Sequence, residues 1–281
     1  MRIVNLIENT EGIAGCEYAH GLSFYAETGK HRLLLDLGPS EKTLENAEKL
    51  GIDLASVDTV ILSHGHYDHS GGIIPFTGIN SNAIIYMQQS AGDDYYADDG
   101  ENTEGERYKY IGIDKEIMKL PRIKTVSGDC IIDDGIELFT VKNRSHELPF
   151  TNRRLLKKYK GQYVRDEFDH EHYLVISEGD RHVLMSGCAH NGILSILDAY
   201  REKYGSFPDA VISGFHLMKK SPYSDRQLRE VEDIGKELKK YPTVFYTCHC
   251  TGEPAYRIMK QVMGEKLQYV HTGEEISLMF S

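Results

Sequence analysis

Four side chains that commonly bind metal ions occur within six consecutive residues of this sequence. They are His64, His66, Asp68 and His69, in the spacing His-x-His-x-Asp-His. Residues 59–62 just before them read Thr-Val-Ile-Leu, an apolar and β-branched run that predicts a buried strand. The motif therefore follows a strand end, where a scaffold can hold ligands rigidly. Because imidazole and carboxylate together suit zinc, iron or manganese, the segment predicts a metal site rather than a histidine-rich polar loop.

The spacing of this motif allows one or two ions. The two histidines that are two residues apart can turn toward one ion, and Asp68 and His69 can reach a second ion nearby. If only one ion binds, Asp68 could instead act as a catalytic general base. Gly71 and Gly72 are predicted to open a helix whose N-terminal amides could help hold an anion.

This motif resembles the signature of the metallo-β-lactamase superfamily, and further segments follow in the matching chain order. These segments are Leu33–Gly38 with Asp36 in an Asp-x-Gly turn, Ser186–His190, and Thr247–Gly252. The resemblance implies a four-layer αββα sandwich. Alternating strands and helices, taken alone, would indicate only an α/β protein.

A narrower resemblance points to one branch of the superfamily. It is carried by His20–Ser23, Gly187–Ile193, Gly214–Leu217 and His249–Gly252. The branch is named for dihydropterin ribofuranosylaminobenzene phosphate synthase. This resemblance implies a metal-dependent enzyme acting on a small phosphorylated or pterin-like metabolite. The reaction would be metal-assisted hydrolysis or a transfer that releases pyrophosphate.

The resemblance also implies three later metal ligands: Cys188, His190 and His249. Cys188 stands where the commonest superfamily pattern has a bridging aspartate, and a thiolate there would favour zinc. Whether Cys188 or His190 is the ligand stays open. The superfamily pattern has one more histidine just before the strand near residue 172. Here residues 169–172 read Asp-His-Glu-His, His146 is a further candidate, and this ligand is left unassigned.

Two further histidines are candidates for roles beside the metal. His216 follows a short apolar strand and is predicted to be catalytic or to face the substrate. His20 is predicted to bind substrate. For both, a purely structural histidine is the alternative.

The chain is predicted to form a single domain over residues 1–281. Strands are expected near 2–8, 22–28, 31–37, 59–63, 83–88, 136–141, 172–178, 181–186, 210–214, 243–248, 267–271 and 275–280. Helices are expected near 41–50, 192–204, 225–240 and 254–264, the second of them capped by Asn191. Residues 90–116 and 143–169 show little apolar periodicity and are predicted to be lids or binding segments.

The second of these segments is rich in basic residues, although the chain as a whole is acidic. Its basic residues are Arg144, Arg153, Arg154, Lys157, Lys158, Lys160 and Arg165. Arg153 and Arg154 are predicted to contact a phosphate or carboxylate of an anionic small-molecule substrate. The alternative is a solvated, charged surface.

Composition excludes several classes of protein. The formal net charge of −11 argues against a nucleic-acid partner, and no run approaches the ~20 apolar residues of a membrane span. The five cysteines show no disulfide-framework spacing, which favours a cytoplasmic location. The predicted cofactor is one or two divalent ions: zinc first, with iron, manganese or magnesium as alternatives. The sequence determines neither the substrate nor the oligomeric state.

Two other functions compete with the leading interpretation. The first is hydrolysis of a phosphodiester, lactone or thioester by metal-activated water. The second is a non-catalytic, metal- or redox-responsive binding protein that uses Cys188, Cys248 and Cys250 near the metal. The intact histidine motif disfavours the second, because a binding protein has less need of open metal chemistry.

Overall fold

The computed structural model describes residues 1–101 and 105–278. The first nine strands are β1 (Arg2–Ile7), β2 (Ser23–Glu27), β3 (Arg32–Leu35), β4 (Thr59–Ile61), β5 (Ile84–Gln88), β6 (Tyr95–Asp98), β7 (Tyr108–Tyr110), β8 (Ile123–Val126) and β9 (Cys130–Asp133). The strands that follow are β10 (Ile136–Phe139), β11 (Leu155–Tyr159), β12 (Gln162–Arg165), β13 (Tyr173–Glu178), β14 (Arg181–Met185), β15 (Ala210–Ser213), β16 (Val244–Thr247) and β17 (Leu267–Tyr269). The α-helices are α1 (Lys42–Lys49), α2 (Tyr67–Ser70), α3 (Ile73–Ile79), α4 (Ile193–Tyr204), α5 (Asp225–Leu238) and α6 (Glu253–Met263). Short 3₁₀ helices span Leu54–Ser56, Gln89–Gly92, Lys115–Lys119, Phe150–Arg154, His249–Thr251 and Gly264–Lys266.

The strands form two large sheets and one small one. The first sheet has the order β1-β2-β3-β4-β5-β8, and the second has the order β17-β16-β15-β14-β13-β10-β9. In the first sheet β3, β4, β5 and β8 run parallel, and in the second β14, β15, β16 and β17 do. The carboxyl ends of parallel strands share one edge of a sheet, so residues just after β3, β4, β14, β15 and β16 can meet in space.

Three hydrophobic clusters define four layers. Inward side chains of both large sheets, such as Phe24, Leu35, Leu174 and Met185, form one core between the sheets. The outer face of the first sheet packs against α1 and α3, and the outer face of the second packs against α4, α5 and α6. The order of layers is helix, sheet, sheet, helix. The αββα sandwich implied by the resemblance is confirmed.

Local sequence signals explain where several helices begin. Ser224 and Gln227 form a reciprocal capping box at the start of α5, since each side chain bonds the other residue's backbone N–H. Pro254 lies in the first turn of α6, where its missing N–H costs no helical hydrogen bond. The predicted cap at Asn191 is wrong. Gly192 occupies the N-cap position of α4, and the Asn191 side chain instead donates to Glu171 and to the carbonyl of Phe168.

The two segments with little apolar periodicity, which were predicted to be lids or binding segments, contain strands. Segment 90–116 supplies β6 and β7, segment 143–169 supplies β11 and β12, and together they form the third sheet, in the order β12-β11-β6-β7. Only one face of this sheet is covered, by a small cluster that includes Tyr95, Ala97 and Leu155. Because so few positions are buried, and because tyrosines and lysines occupy the other face, the strands show no clear alternation of apolar and polar residues. The predicted strand at 275–280 is also wrong over the described part, where Glu275 makes one isolated bridge to Val4. Residues 279–280 lie outside the described part.

No described helix combines the length and apolarity that crossing a membrane requires.

Gly71 allows the metal motif to pack against the first sheet. A Cβ at this position would lie 2.0 Å from the carbonyl oxygen of Pro39. The Gly71 amide donates to the carbonyls of Gly38 and Tyr67, so it does not hold an anion as predicted. The helix α3 that follows spans only seven residues.

We expect Gly71→Ala to lower the free energy of unfolding by about 1–3 kcal/mol, because two backbone segments must move apart. Gly78→Ala is the matched control. No atom lies within 4 Å of its added Cβ, and alanine is the better helix former, so a gain of about 0.5–1 kcal/mol is expected. Urea denaturation of both variants measures the difference. Equal stability of the two variants would contradict the packing role of Gly71.

Candidate metal centre

The candidate site lies where the parallel strands of both large sheets end. The His-x-His-x-Asp-His motif follows β4, and the segments with Cys188 and His190 follow β14. His216 follows β15, and His249 follows β16. Left-handed backbone occurs at Asp36, Ala189, His216 and His249, with φ of 62°, 51°, 48° and 49°. Such conformations cost of order 1–3 kcal/mol each at a non-glycine residue, and they cluster at functional sites.

One group of three histidines converges on a single point. One ligand atom from each of His64, His66 and His190 lies within 4.8 Å of the other two. The Nε2 atoms of all three are buried and have no hydrogen-bond partner. A buried ring nitrogen without a partner is costly unless a ligand occupies it. The arrangement therefore fits one metal ion held by three imidazoles.

A second group lies beside the first and contains Asp68, His69 and His249. Oδ2 of Asp68 lies 3.8 Å from Nε2 of His69 and 3.6 Å from Nε2 of His249. Nε2 of His249 is likewise buried without a partner. The carboxylate and two imidazoles fit a second ion.

Cys188 lies between the two groups. Its Sγ is 3.2 Å from Nε2 of His69, and it shares one candidate group with His64 and His69 and another with His249 and Cys250. The structure therefore brings both Cys188 and His190 to the site, rather than one in place of the other. Burial raises the pKa of the Cys188 thiol, so binding to an ion as thiolate would require the ion to displace its proton.

Hydrogen bonds fix the tautomer of four of these histidines. Nδ1 of His69 is 2.7 Å from Oδ2 of Asp36, an acceptor, and Nδ1 of His64 is 2.8 Å from Oγ of Ser63. The Ser63 hydroxyl donates to Asp36, so its oxygen accepts from His64.

The other two histidines are held by asparagine side chains. Nδ1 of His190 is 3.0 Å from Oδ1 of Asn152, and Nδ1 of His249 is 2.8 Å from Oδ1 of Asn9. In all four histidines Nδ1 carries the proton, and Nε2 offers a lone pair. Metal-binding histidines are commonly oriented by such partners.

The electrostatics of the site favour neutral imidazoles. Burial, together with neighbouring imidazoles, lowers the pKa of His64, His190 and His249 well below the usual value, and burial lowers that of His66 to about 3. Burial alone would raise the pKa of Asp68, but His69, His20 and His249 hold it below its usual value. His69 is the exception: burial opposes its charge, yet Asp36 and Asp68 raise its pKa.

The histidines near residue 172 have hydrogen-bond partners at both ring nitrogens. Nδ1 of His170 accepts from the amide of Gly65, and its Nε2 lies 3.0 Å from Asp166. His172 bonds Gln88 through Nδ1 and the carbonyl of Leu62 through Nε2. His170 and Asp166 also form a further candidate group with His66. The candidate His146 instead lies 3.1 Å from Asp198. His170 and His190 are therefore both candidates for the ligand that the sequence left unassigned.

The predicted catalytic histidine, His216, stands at the rim of the metal groups. Its ring centroid is 4.1 Å from that of His190, and its Nδ1 is 2.7 Å from Oγ1 of Thr151. Burial lowers its pKa to about 3. Nε2 of His20 lies 3.3 Å from Oδ2 of Asp68, and the His20 side chain is 49 % exposed. Both histidines are placed to touch a molecule bound at the metal groups.

The two predicted anion-binding arginines occupy the turn before β11. Arg154 is half-exposed, forms an ion pair with Asp99, and lowers the pKa of His216 by its positive charge. Burial raises the pKa of Glu230 of α5, and the charges of Arg226 and Arg153 offset part of that rise, so Arg153 faces α5 rather than the metal groups. Arg154 is therefore the better placed of the two to reach a substrate at the site.

Several residues that organise the site were missed by the sequence analysis. They are Glu8, Asn9, Asn152 and Glu171, each of which bonds the backbone or side chain of a candidate ligand. A signal was available for two of them, because Glu8 and Asn9 are polar residues at the carboxyl end of a predicted strand, as the metal motif is. Asn152 and Glu171 carried no local signal.

Comparison with known proteins agrees with this fold. Residues 19–146 match the metallo-beta-lactamase superfamily. The 7,8-dihydropterin-6-methyl-4-(beta-D-ribofuranosyl)-aminobenzene-5'-phosphate synthase of Methanocaldococcus jannaschii is 30% identical over 270 residues, which cover 92% of this chain and 89% of that protein. The crystal structure of Tm1679, a metal-dependent hydrolase of the beta-lactamase superfamily, has 29% identity and a TM-score of 0.81, with both chains covered completely.

A third relative matches over a shorter region. Exodeoxyribonuclease WalJ of Streptococcus pneumoniae is 25% identical over 177 residues, which cover 59% of this chain and 62% of that protein. The chain belongs to the metallo-β-lactamase superfamily, most of whose members are metal-dependent hydrolases. Its resemblance to the synthase branch is supported by the Methanocaldococcus relative.

Proposed function

We propose that this protein is a metal-dependent enzyme that hydrolyses a small phosphorylated metabolite. The observation that carries the proposal is the set of four buried Nε2 atoms without partners, on histidines 64, 66, 190 and 249. Three of these histidines have Nδ1 bonded to a serine or asparagine oxygen. Imidazole, carboxylate and thiol donors suit zinc first and iron or manganese next, whereas magnesium prefers oxygen ligands.

The residues of the chain would divide the work as follows. His64, His66 and His190 would hold one ion, and Asp68, His69 and His249 the other, with Cys188 between them. Bound ions would activate water and polarise a phosphoryl oxygen.

Residues at the rim would handle the substrate. His20 can donate to Asp68 and so orient its carboxylate. His216 is proposed to contact the substrate beside His190, and Arg154 to bind its anionic group through charge-assisted hydrogen bonds.

A second candidate is a transfer that releases pyrophosphate. It is favoured by the relative from Methanocaldococcus jannaschii, which is named as a synthase. Such a transfer would use the same ligands, so the ligand set does not distinguish the two reactions. They differ in the nucleophile, which is water in hydrolysis and a second organic substrate in transfer.

Reactions in oxygen-18 water distinguish these candidates. A panel of phosphomonoesters, phosphodiesters, lactones, thioesters and single-stranded DNA is tested first. A dihydropterin pyrophosphate paired with an aminobenzene riboside phosphate follows. Label in a small phosphorylated product supports hydrolysis, and coupled product with pyrophosphate release supports transfer. Cleavage of DNA alone would contradict a small-molecule substrate. Metal binding without any turnover would support the non-catalytic alternative.

We expect Arg154→Ala to raise KM for a phosphorylated substrate about 10–100-fold, because the variant loses one or two charge-assisted hydrogen bonds to the substrate. Metal content should not change, because Arg154 is not among the candidate ligands. Arg153→Ala is the matched comparison, with a smaller effect expected because its charge acts on Glu230. Steady-state kinetics measures both. Unchanged kinetics for Arg154→Ala would contradict the substrate-binding role and support the alternative that this segment is a solvated, charged surface.

We also propose a cytoplasmic location. All five cysteines of the chain are free thiols. Cys188 and Cys250 belong to candidate metal groups, whereas Cys248, which was also expected near the metal, packs in the core between the two sheets. Reduced thiols persist in a reducing compartment.

A further inference from the structure

Two buried carboxylates stand behind the two metal groups in the same way. Oε1 of Glu171 accepts the backbone N–H of His190 at 2.7 Å. Oε2 of Glu8 accepts the backbone N–H of His249 at 3.0 Å. Both carboxylates are essentially inaccessible to solvent. Each therefore holds the main chain of one candidate ligand, one in each metal group.

Both oxygens of Glu171 accept hydrogen bonds from several donors. Besides the amide of His190, it accepts from the amide and the side chain of Asn191 at 2.9 and 3.0 Å. The hydroxyl of Tyr173 donates to it at 2.6 Å. An ionised carboxylate is the side chain that can accept several hydrogen bonds at both of its oxygens. In a glutamine, one end would be an amide group that faces donors.

Glu8 has an equivalent set of partners on the other side of the site. It accepts from the amide and the hydroxyl of Thr10, and from the hydroxyl of Tyr269 at 3.2 Å, in addition to the amide of His249. Glu8 follows β1 of the first sheet, whereas His249 follows β16 of the second. This carboxylate therefore joins the two sheets at the ligand itself.

The backbone conformation explains why such anchors are needed. His249 itself, and Ala189 just before His190, adopt left-handed φ values of 49° and 51°. These conformations persist only where surrounding contacts hold them. Burial raises the pKa of both carboxyls, and the hydrogen bonds that they accept oppose that rise. Several such hydrogen bonds can offset the cost of the left-handed conformations.

We infer that Glu171 and Glu8 are positioning residues, each tuned to one metal ion. Glu171 sets the affinity of the ion at His64, His66 and His190, and Glu8 sets that of the ion at Asp68, His69 and His249. The inference rests on the proposed function, because it requires that both groups bind metal.

The test is a zinc titration of the EDTA-treated protein against a chromophoric chelator, which resolves two affinities. Glu171→Gln is expected to weaken one ion about 10–100-fold and leave the other unchanged, the usual cost of losing a partner behind a ligand. Glu8→Gln is expected to weaken the opposite ion. Cobalt(II) spectra of His190→Ala and His249→Ala assign the absorption bands to the two ions, because a site that loses a ligand changes its bands, and the same bands then show which ion each glutamine variant weakens. Glu137→Gln is the control, since its partners Lys203 and Tyr204 lie away from the metal groups.

Milder variants keep the test decisive if the glutamine variants do not fold. Tyr173→Phe removes one hydrogen-bond donor from Glu171, and Tyr269→Phe removes one from Glu8. Each variant should weaken only the ion assigned to its glutamate, and by a smaller factor than the glutamine variant does. Equal weakening of both ions, in proportion to lost stability, would overturn the inference and indicate a purely structural role. If every variant binds both zinc ions with the affinities of the wild-type protein, the inference is overturned and the proposed function is not affected. Absence of zinc binding by the wild-type protein would overturn the proposed function as well.

Discussion

Replacement of His190 with alanine is expected to lower the metal content from two ions per chain to one and to abolish activity. His190 supplies one of only three nitrogens in its group, and those nitrogens have no other partner. Loss of a direct ligand should cost more than the ~10–100-fold in affinity that loss of an outer partner costs. Elemental analysis of protein purified without chelator, before and after zinc reconstitution, measures the result.

His172→Gln is the matched control for this experiment. His172 is also buried, but its nitrogens bond Gln88 and the carbonyl of Leu62, and it is not a member of the candidate metal groups found among the described residues. We expect this variant to keep two ions even if it is less stable. Loss of an ion in His172→Gln, with retention of both in His190→Ala, would contradict the assignment of His190.

Asp36→Ala is expected to cost about 3–5 kcal/mol of unfolding free energy, the range for breaking a buried charged interaction. Its Oδ1 accepts from the amide of Ser63 at 2.7 Å. Its Oδ2 is 2.7 Å from both the Ser63 hydroxyl and Nδ1 of His69. Alanine would leave these buried groups without an acceptor. Urea denaturation in EDTA separates this effect from any loss of metal.

Asp53→Ala provides a comparison for Asp36. Asp53 caps the 3₁₀ helix Leu54–Ser56 by accepting from the amide of Ala55. It is exposed, so its loss should cost only ~1 kcal/mol. A similar, small loss of unfolding free energy in both variants would contradict the view that Asp36 stabilises the metal motif through its bonds to Ser63 and His69.

The sequence alone was sufficient to predict that the residues of the histidine motif lie together in candidate metal groups. His64, His66, Asp68 and His69 lie within six residues after one strand, so chain geometry itself brings them together. Strand and helix positions were also accessible, because long apolar periodicities and a capping box are local signals. The layer order came from the resemblance to the superfamily, and the structure confirms it.

Only the tertiary structure decided which later residues complete these groups. His170 and His172 are closer along the sequence to the superfamily position than His190 is. Their ring nitrogens, however, are hydrogen-bonded to other residues: Gly65, Asp166, Gln88 and Leu62. Whether a histidine nitrogen is left without a hydrogen bond depends on partners that are up to 110 residues away along the chain. The local spacing of residues does not predict these partners.

The third sheet and the two carboxylate anchors were hidden for related reasons. The third sheet covers one face only, so its strands lack the apolar alternation that identifies a strand. Glu8 meets His249 across 241 residues, through the packing of one sheet on the other. Short-range pattern determines which residues offer donor atoms for a metal, whereas sheet order and hydrogen-bond competition determine which of those atoms lie together without another partner.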